Sequence, residues 1–372
     1  MRIQLVLADD WELRGDGSGD MRVIQFATIR RLCEVYEACG LRASFNVEVL
    51  QQLVHRRLGD ENRELGRLAA EWEEVVCDVY QRGHDVQLHL HPQWTNARYE
   101  GGKWSLSGSW SILDYEPDRV EEMILEGMEY LEELLRPLDP SYRCVSFRSG
   151  SWCIAPGDHV LNALAKAGIV FDMSIAEGLH YDTGHIQLDY RMIDEPFRPY
   201  YPRMNDARRV ADEPQSIVCV PTHTFSAGKP LVRGVARALR KRTPLGSRMD
   251  RFVAPNDVPI PNRGYGTDYS RRNWDNRRGT ASSKRRVSDL SALSFGQMRQ
   301  MLADIRRRAR ATGWALVPVV LENHTKDIGN FVPFERLAAH ISSAPDLEVL
   351  TLTELARNIE GGVYPIRWGD KR

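Results

Sequence analysis

Short apolar runs of strand length alternate along this chain with stretches whose apolar residues recur three and four positions apart. The runs are Ile3–Ala8, Arg42–Val49, Asp85–Leu90, Arg143–Phe147, Ile169–Ile175, Ser216–Phe225, Ala315–Leu321 and Leu347–Leu352. Between them lie Val23–Cys39, Leu65–Gln81, Arg119–Leu135, His159–Ala167, Phe295–Thr312 and Phe334–Ser343, each with the period of a helix and several closed by glycine. Seven or eight strands separated by helices predict an α/β fold with a parallel sheet and right-handed crossovers. Their number and even spacing favour a closed (β/α)7-8 barrel over an open sheet. An open doubly wound sheet usually carries a glycine-rich phosphate turn after its first strand, and here that position reads DDWELRGDG.

The rhythm breaks once. Residues 229–290 hold 16 Lys/Arg against 5 Asp, or +11, within a chain whose formal charge is −1, so the remainder carries −12. The expected domains are therefore a barrel formed by residues 1–228 and 291–360, and a basic insertion at 229–290, a lid or partly disordered arm with a short helix at Val235–Arg242. Arginine forks suit phosphate, so the insertion suits a nucleotide- or lipid-linked glycan or an anionic surface. Nucleic acid is disfavoured, since only Tyr265, Tyr269 and Trp274 interleave as stacking aromatics. Six scattered cysteines without a C-x-x-C pair argue against a disulfide framework. The N-terminal apolar run is too short for a secretory signal, and no run approaches the roughly 18 residues of a membrane span. The expectation is a cytoplasmic protein that does not span a membrane.

In a parallel barrel, catalytic groups gather at the C-terminal ends of strands. Those ends carry Asp9 and Asp10, His89 and His91, Arg148, His223 and His324, with Asp172 inside the fifth strand. Side chains two apart on a strand point the same way, so His89 and His91 can grip one ion, with a carboxylate from a neighbouring strand as third ligand. Two nitrogens and one oxygen suit a zinc-like divalent metal with a position open for water. Asp9 and Asp10 face different ways, so one can bind metal while the other serves as base. The plainer alternatives are histidines facing solvent and an Asp-Asp pair filling a turn.

At this point the chain resembles the NodB-like polysaccharide deacetylases. Leu7-Ala8-Asp9-Asp10 is similar to the family's first motif, and GHDVQLHLHP (Gly83–Pro92) to its histidine motif. FRSGSW (Phe147–Trp152) resembles its arginine motif, GIVFDMS (Gly168–Ser174) a strand carrying aspartate, and LENH (Leu321–His324) the closing histidine motif. The resemblance keeps the motif order over roughly residues 1–228 and 291–355. It implies a distorted (β/α) barrel and metal-dependent hydrolysis of N- or O-acetyl groups on sugars. By position it implies Asp9 as base, Asp10, His89 and His91 as ligands of a divalent metal, zinc foremost, and Arg148 orienting Asp9. It further implies His324 as acid steadied by Asp172, and a backbone N–H near Ser151 holding the oxyanion. The chain departs from the family pattern at Trp11, where glycine is usual, and at Gly150, where proline is common. Its histidines stand two apart rather than four, with Gln93 at the usual spacing, so the third ligand is His91 or Gln93.

Trp94 and Trp152 are expected to touch substrate, together with Ser151 and the strand-end His223. Glu12 and the GDGSGD loop (Gly15–Asp20) faintly suggest a calcium loop, but the glutamate such a loop needs is absent, and a flexible rim is expected instead. His180 and His185 are expected at the surface, and His55, His159 and His340 in structural roles. The deacetylase reading implies an N-acetylated sugar as partner and a place in surface-polysaccharide assembly. Its rivals are a zinc amidohydrolase barrel, whose H-x-H ends the first strand rather than the third, and a catalytically inactive carbohydrate-binding barrel.

Overall fold

The computed structural model describes residues 1–182, 186–195, 197–226 and 285–369. The expectations for His185, for the Val235–Arg242 helix, for Tyr265, Tyr269 and Trp274, and for all but the last six residues of the basic insertion lie outside the described residues.

The barrel is built from β1 (Arg2–Trp11), α1 (Thr28–Glu37), β2 (Ser44–Glu48), α2 (Val49–Gly59), α3 (Arg63–Gln81), β3 (Asp85–Leu90) and α4 (Pro117–Leu135). It continues with β4 (Ser146–Ser149), α5 (His159–Lys166), β5 (Phe171–Asp172), β6 (Val218–Cys219), α6 (Phe295–Thr312), β7 (Leu316–His324), α7 (Val332–Ser342), β8 (Leu347–Leu350) and α8 (Leu352–Glu360). The sheet runs β6-β5-β4-β3-β2-β1-β7 with every pairing parallel, and β8 adds to β1. The ring closes where Thr222 bridges Val320 and the His223 N–H donates to the Val320 carbonyl at 2.8 Å. This is the parallel α/β barrel that the alternating periods predict, with the distortion that the resemblance implies.

The distortion centres on β1. One edge pairs with β7 along Arg2–Asp10; the other pairs with β8 over Ile3–Val6 and then with β2 over Ala8–Trp11. Alternation along the strands sorts side chains into two cores. Val6, Ala8, Val145, Phe171, Met173, Val218, Val220 and Val320 fill the barrel interior, while Ile3, Leu5, Leu7, Phe45, Leu88 and Phe147 pack outward with the helix layer.

The second half of the ring is sparser than its sequence suggests. Ile169–Ile175 and Ser216–Phe225 contribute two-residue strands only, and Thr224–Ser226 instead pairs antiparallel with Arg285–Val287. Two helices were not apparent from periodicity. α2 follows β2 without a break, because the Glu48 carboxylate caps it by accepting from the Gln51 N–H at 3.1 Å. α8 begins where a strand was expected to continue, since Thr351 and Glu354 form a capping box that turns the chain.

Candidate metal centre and active site

Even-numbered residues of β1 point into the barrel, which places Asp10 inside and Asp9 and Trp11 outside; Glu12, just past the strand, also enters the mouth beside His89 and His91. Asp9 is fully buried against the helix layer, where the Asn323 side-chain N–H donates to its Oδ1. Burial there pushes the Asp9 carboxyl up to about 8, against the pull of Asn323. Trp11 stacks on Trp72 with ring centroids 5.5 Å apart and planes 9° from parallel. The two adjacent acids thus lie on opposite sides of one sheet.

Inside the mouth, Glu12 Oε2 meets His91 Nε2 and lies 3.5 Å from His89 Nε2, and one ligand atom from each of the three residues falls within 4.8 Å of the others. His89 Nδ1 bonds the Arg148 carbonyl oxygen at 2.8 Å. A carbonyl only accepts, so Nδ1 carries a proton, and in the neutral ring Nε2 presents its lone pair. That nitrogen is buried and has no hydrogen-bond partner. Gln93 sits behind His91, its side-chain amide 3.0 Å from Nδ1 and its Oε1 without a partner. Amide oxygen and nitrogen are assigned from such networks, and turning the amide gives Nδ1–H a carbonyl acceptor and frees Nε2. Gln93 therefore sits behind His91, and Glu12, His89 and His91 are the three that converge. Burial alone would raise the Glu12 carboxyl, but His91 and Lys326 hold it well below the usual carboxylate range. Two imidazoles and one ionised carboxylate fit a zinc-like divalent ion.

Gly150 makes this packing possible. A Cβ there would stand 2.7 Å from the Leu90 carbonyl oxygen and 2.9 Å from His91 Cγ. Glycine at this position, where the resemblance suggested proline, lets the β4 end close against His91.

Arg148 reaches Asp10 rather than Asp9. Its Nη1 donates to Asp10 Oδ1 at 2.7 Å, and Asn46 donates to the same oxygen at 2.8 Å. Burial would raise Asp10, but Arg148, His89 and His324 together outweigh it, and the carboxyl stays below its ordinary value. Oδ2 faces His324 Nε2 at 3.9 Å. His324 is paired across the sheet with Asp10, and its Nδ1 lies 3.6 Å from Asp289 Oδ2. Burial and Lys326 depress this imidazole, yet Asp289 and Glu322 more than offset them and raise it to about 9.

The expected partner of His324, Asp172, is engaged elsewhere. Its neighbours Phe171 and Met173 fill the interior, and its own carboxylate accepts from Ser174 N at 3.1 Å and Ser174 Oγ at 2.6 Å. Ser174 Oγ accepts in turn from the Ser149 N–H at 2.8 Å, so Asp172 braces the end of β4. His223 also points away from the mouth: it stacks on Phe225, meets Phe197 edge-on, and lies 3.7 Å from Asp304 of α6. Trp94 is buried against Trp104 and His55 rather than offered to a substrate. Ser151 and Trp152, by contrast, border the mouth. Both take positive φ (57° and 56°), and the Trp152 ring stands 5.9 Å from His324 and stacks on Tyr181 at 6.1 Å. Two such residues in succession store backbone strain beside a site.

Glu12, Asn46, Asp289, Glu322 and Lys326 were not foreseen. Glu12 was legible from period 2 alone, being the next inward position after Asp10; Asp289 and Lys326 carry no such signal.

No family model matches the sequence, and no curated protein sequence matches it significantly. Among solved structures, a candidate polysaccharide deacetylase of Mycobacterium smegmatis is similar over 98% of this chain and 93% of its own, at 13% identity and a TM-score of 0.52. A candidate polysaccharide deacetylase of Pseudomonas aeruginosa PAO1 gives 13% identity, the same two coverages and a TM-score of 0.49. An allantoinase gives 11% identity over 98% of this chain and 92% of its own, with a TM-score of 0.45. At these identities the likeness is one of fold: the chain has the distorted (β/α) barrel of the deacetylase type.

Proposed function

We propose that this protein is a divalent-metal-dependent hydrolase that removes an acetyl group from an N-acetylated (or O-acetylated) sugar. Glu12, His89 and His91 would hold the ion, zinc by the chemistry of the donors. The role first expected of Asp10 thus passes to Glu12, and that of Asp9 to Asp10. When bound, such an ion polarises the carbonyl under attack and acidifies the attacking water. Asp10, fixed by Arg148 and Asn46 through Oδ1, uses Oδ2 to take the water's proton. His324, protonated at neutral pH with Asp289 3.6 Å from its Nδ1, gives a proton to the departing amine. The backbone turn at Ser151 offers N–H groups to the oxyanion, and the Trp152 ring offers an apolar face to a sugar. A cytoplasmic place in surface-polysaccharide assembly, with a nucleotide- or lipid-linked sugar as substrate, belongs to this proposal.

One observation carries it: the buried, partnerless Nε2 of His89 faces Glu12 and His91 in the same mouth as the Asp10–Arg148 pair and His324. The test is elemental analysis of the purified protein together with acetate release from free and nucleotide-linked N-acetylated sugars. The expected result is bound zinc and acetate release that a chelator abolishes. Metal-free protein, or turnover indifferent to chelation, overturns the proposal.

A further inference from the structure

Glu322 is the least explained side chain in the mouth. It lies on β7 one pleat below His324, opposite Ala8 of β1, and it is fully buried. Neither carboxylate oxygen has a hydrogen-bond partner. A buried carboxyl without donors is costly, and residues of this kind persist where a ligand completes them. The nearby guanidinium does not complete it: Arg148 donates to Asp10 Oδ1 and, at 3.2 Å, to Thr222 Oγ1. What does face Glu322 is His324, with Nε2 3.6 Å from Oε1. Asp10 Oδ2 lies 3.9 Å from the same nitrogen, and the ligand atoms of Asp10, Glu322 and His324 lie within 4.8 Å of one another.

We infer that Asp10, Glu322 and His324 form a second, weaker divalent-cation site whose occupation inhibits the enzyme. The inference rests on the metal centre proposed for Glu12, His89 and His91. Two carboxylates and one imidazole suit a first-row ion such as zinc or manganese. The two sites adjoin through Glu12, whose Oε2 faces His89 and His91 while Oε1 lies 3.9 Å from His324 Nε2. Shared carboxylates of this kind are how two-metal centres are built. The second site is the weaker because Arg148 and Lys326 already offset the charge of two of its surrounding carboxylates, Asp10 and Glu12. An ion there takes the lone pairs of Asp10 Oδ2 and His324 Nε2, the atoms that the proposed reaction needs to accept and to donate a proton. Excess metal therefore switches off the proton transfers while leaving the first site filled.

The experiment is zinc titration of the metal-stripped protein, reading equivalents bound by equilibrium dialysis and acetate release in parallel. The wild type is expected to bind one equivalent with gain of activity and a second, weaker one with at least a ~10-fold loss. Glu322→Gln, and Glu322→Leu as a second variant that also removes the buried carboxyl, are expected to bind one equivalent and to escape the inhibition. Circular dichroism checks that both variants are folded. A wild type that stops at one equivalent, released by His89→Ala, overturns this inference while leaving the proposed function standing. A second equivalent bound equally well by both Glu322 variants overturns it too. A wild type that binds no zinc removes the proposed function itself.

Discussion

Arg148 Nη1 donates to Asp10 Oδ1 across 2.7 Å, and neither side chain reaches bulk solvent. Buried pairs of this kind cost several kcal/mol to break from one side, because the surviving charge is left uncompensated. Their value here is orientation: with Oδ1 committed to Arg148 and Asn46, Oδ2 is the oxygen turned to the mouth.

The first prediction separates the two adjacent acids. Asp10→Asn is expected to lower acetate release ~10²- to 10⁴-fold, as loss of a general base does. Asp9→Asn is expected to leave turnover within a few-fold of wild type, because Asp9 is buried outside the barrel with a carboxyl that prefers its neutral form. Steady-state kinetics of both variants decide the matter. The reverse ranking would return the base to Asp9.

Metal retention provides the second. Glu12→Gln and His91→Ala are expected to lose zinc on dialysis. Gln93→Ala, which removes the group behind His91, is expected to weaken zinc binding ~10- to 100-fold without abolishing it. Competition with a chromophoric chelator measures all three.

Gly150→Ala tests the close approach beside His91. The added methyl meets backbone at 2.7 Å and the imidazole at 2.9 Å, so either β3 or the ring must move. Overpacking of this size costs about 1–3 kcal/mol. A lower melting temperature and weaker zinc binding are both expected; unchanged values would show that the β4 end has slack.

The rate should depend on pH through His324. As an acid it is active while protonated, so with its pKa raised to about 9 activity is expected to fall as pH rises through about 9. Asp289→Asn removes an acid that raises it, and the alkaline limb should move to lower pH. A limb that stays in place would exclude Asp289 as its partner.

Stability should respond to Asp172. Burial raises its carboxyl to about 7 from an ordinary 3.8. Between those values the unfolded chain has released a proton that the folded protein keeps, so the contribution of Asp172 to stability is greatest below about pH 4, declines toward pH 7 and then levels. Three units correspond to at most about 4 kcal/mol. Denaturant unfolding across pH 4–8 should show a slope that Asp172→Asn reduces.

Much of the fold is legible because strand and helix periods differ so clearly along Ile3–Ala8, Val23–Cys39 and Asp85–Leu90. The two-residue strands β5 and β6 were overestimated, since Val- and Ile-rich runs satisfy apolar burial without continuous pairing. The strand ends located the mouth: Asp10, His89, His91, Arg148 and His324 all came from that argument. At β1 the structure decides a question of phase, as adjacent residues differ by half a period and nothing in LADDW says which acid faces inward. Period 2 counted on from Asp10 would have exposed Glu12. Asp289 was hidden for another reason: it belongs to a basic stretch without periodicity, and only the ladder from His223 through Ser288 to Glu322 brings it alongside β7.

The seam at Thr222 and Val320 has a mechanical consequence. A ring yields first under load at its sparsest join, and the pair Asp10 and His324 stands where β1 and β7 match along Arg2–Asp10. Strain placed on the mouth is therefore expected to widen the seam before it disturbs the spacing of Asp10 and His324.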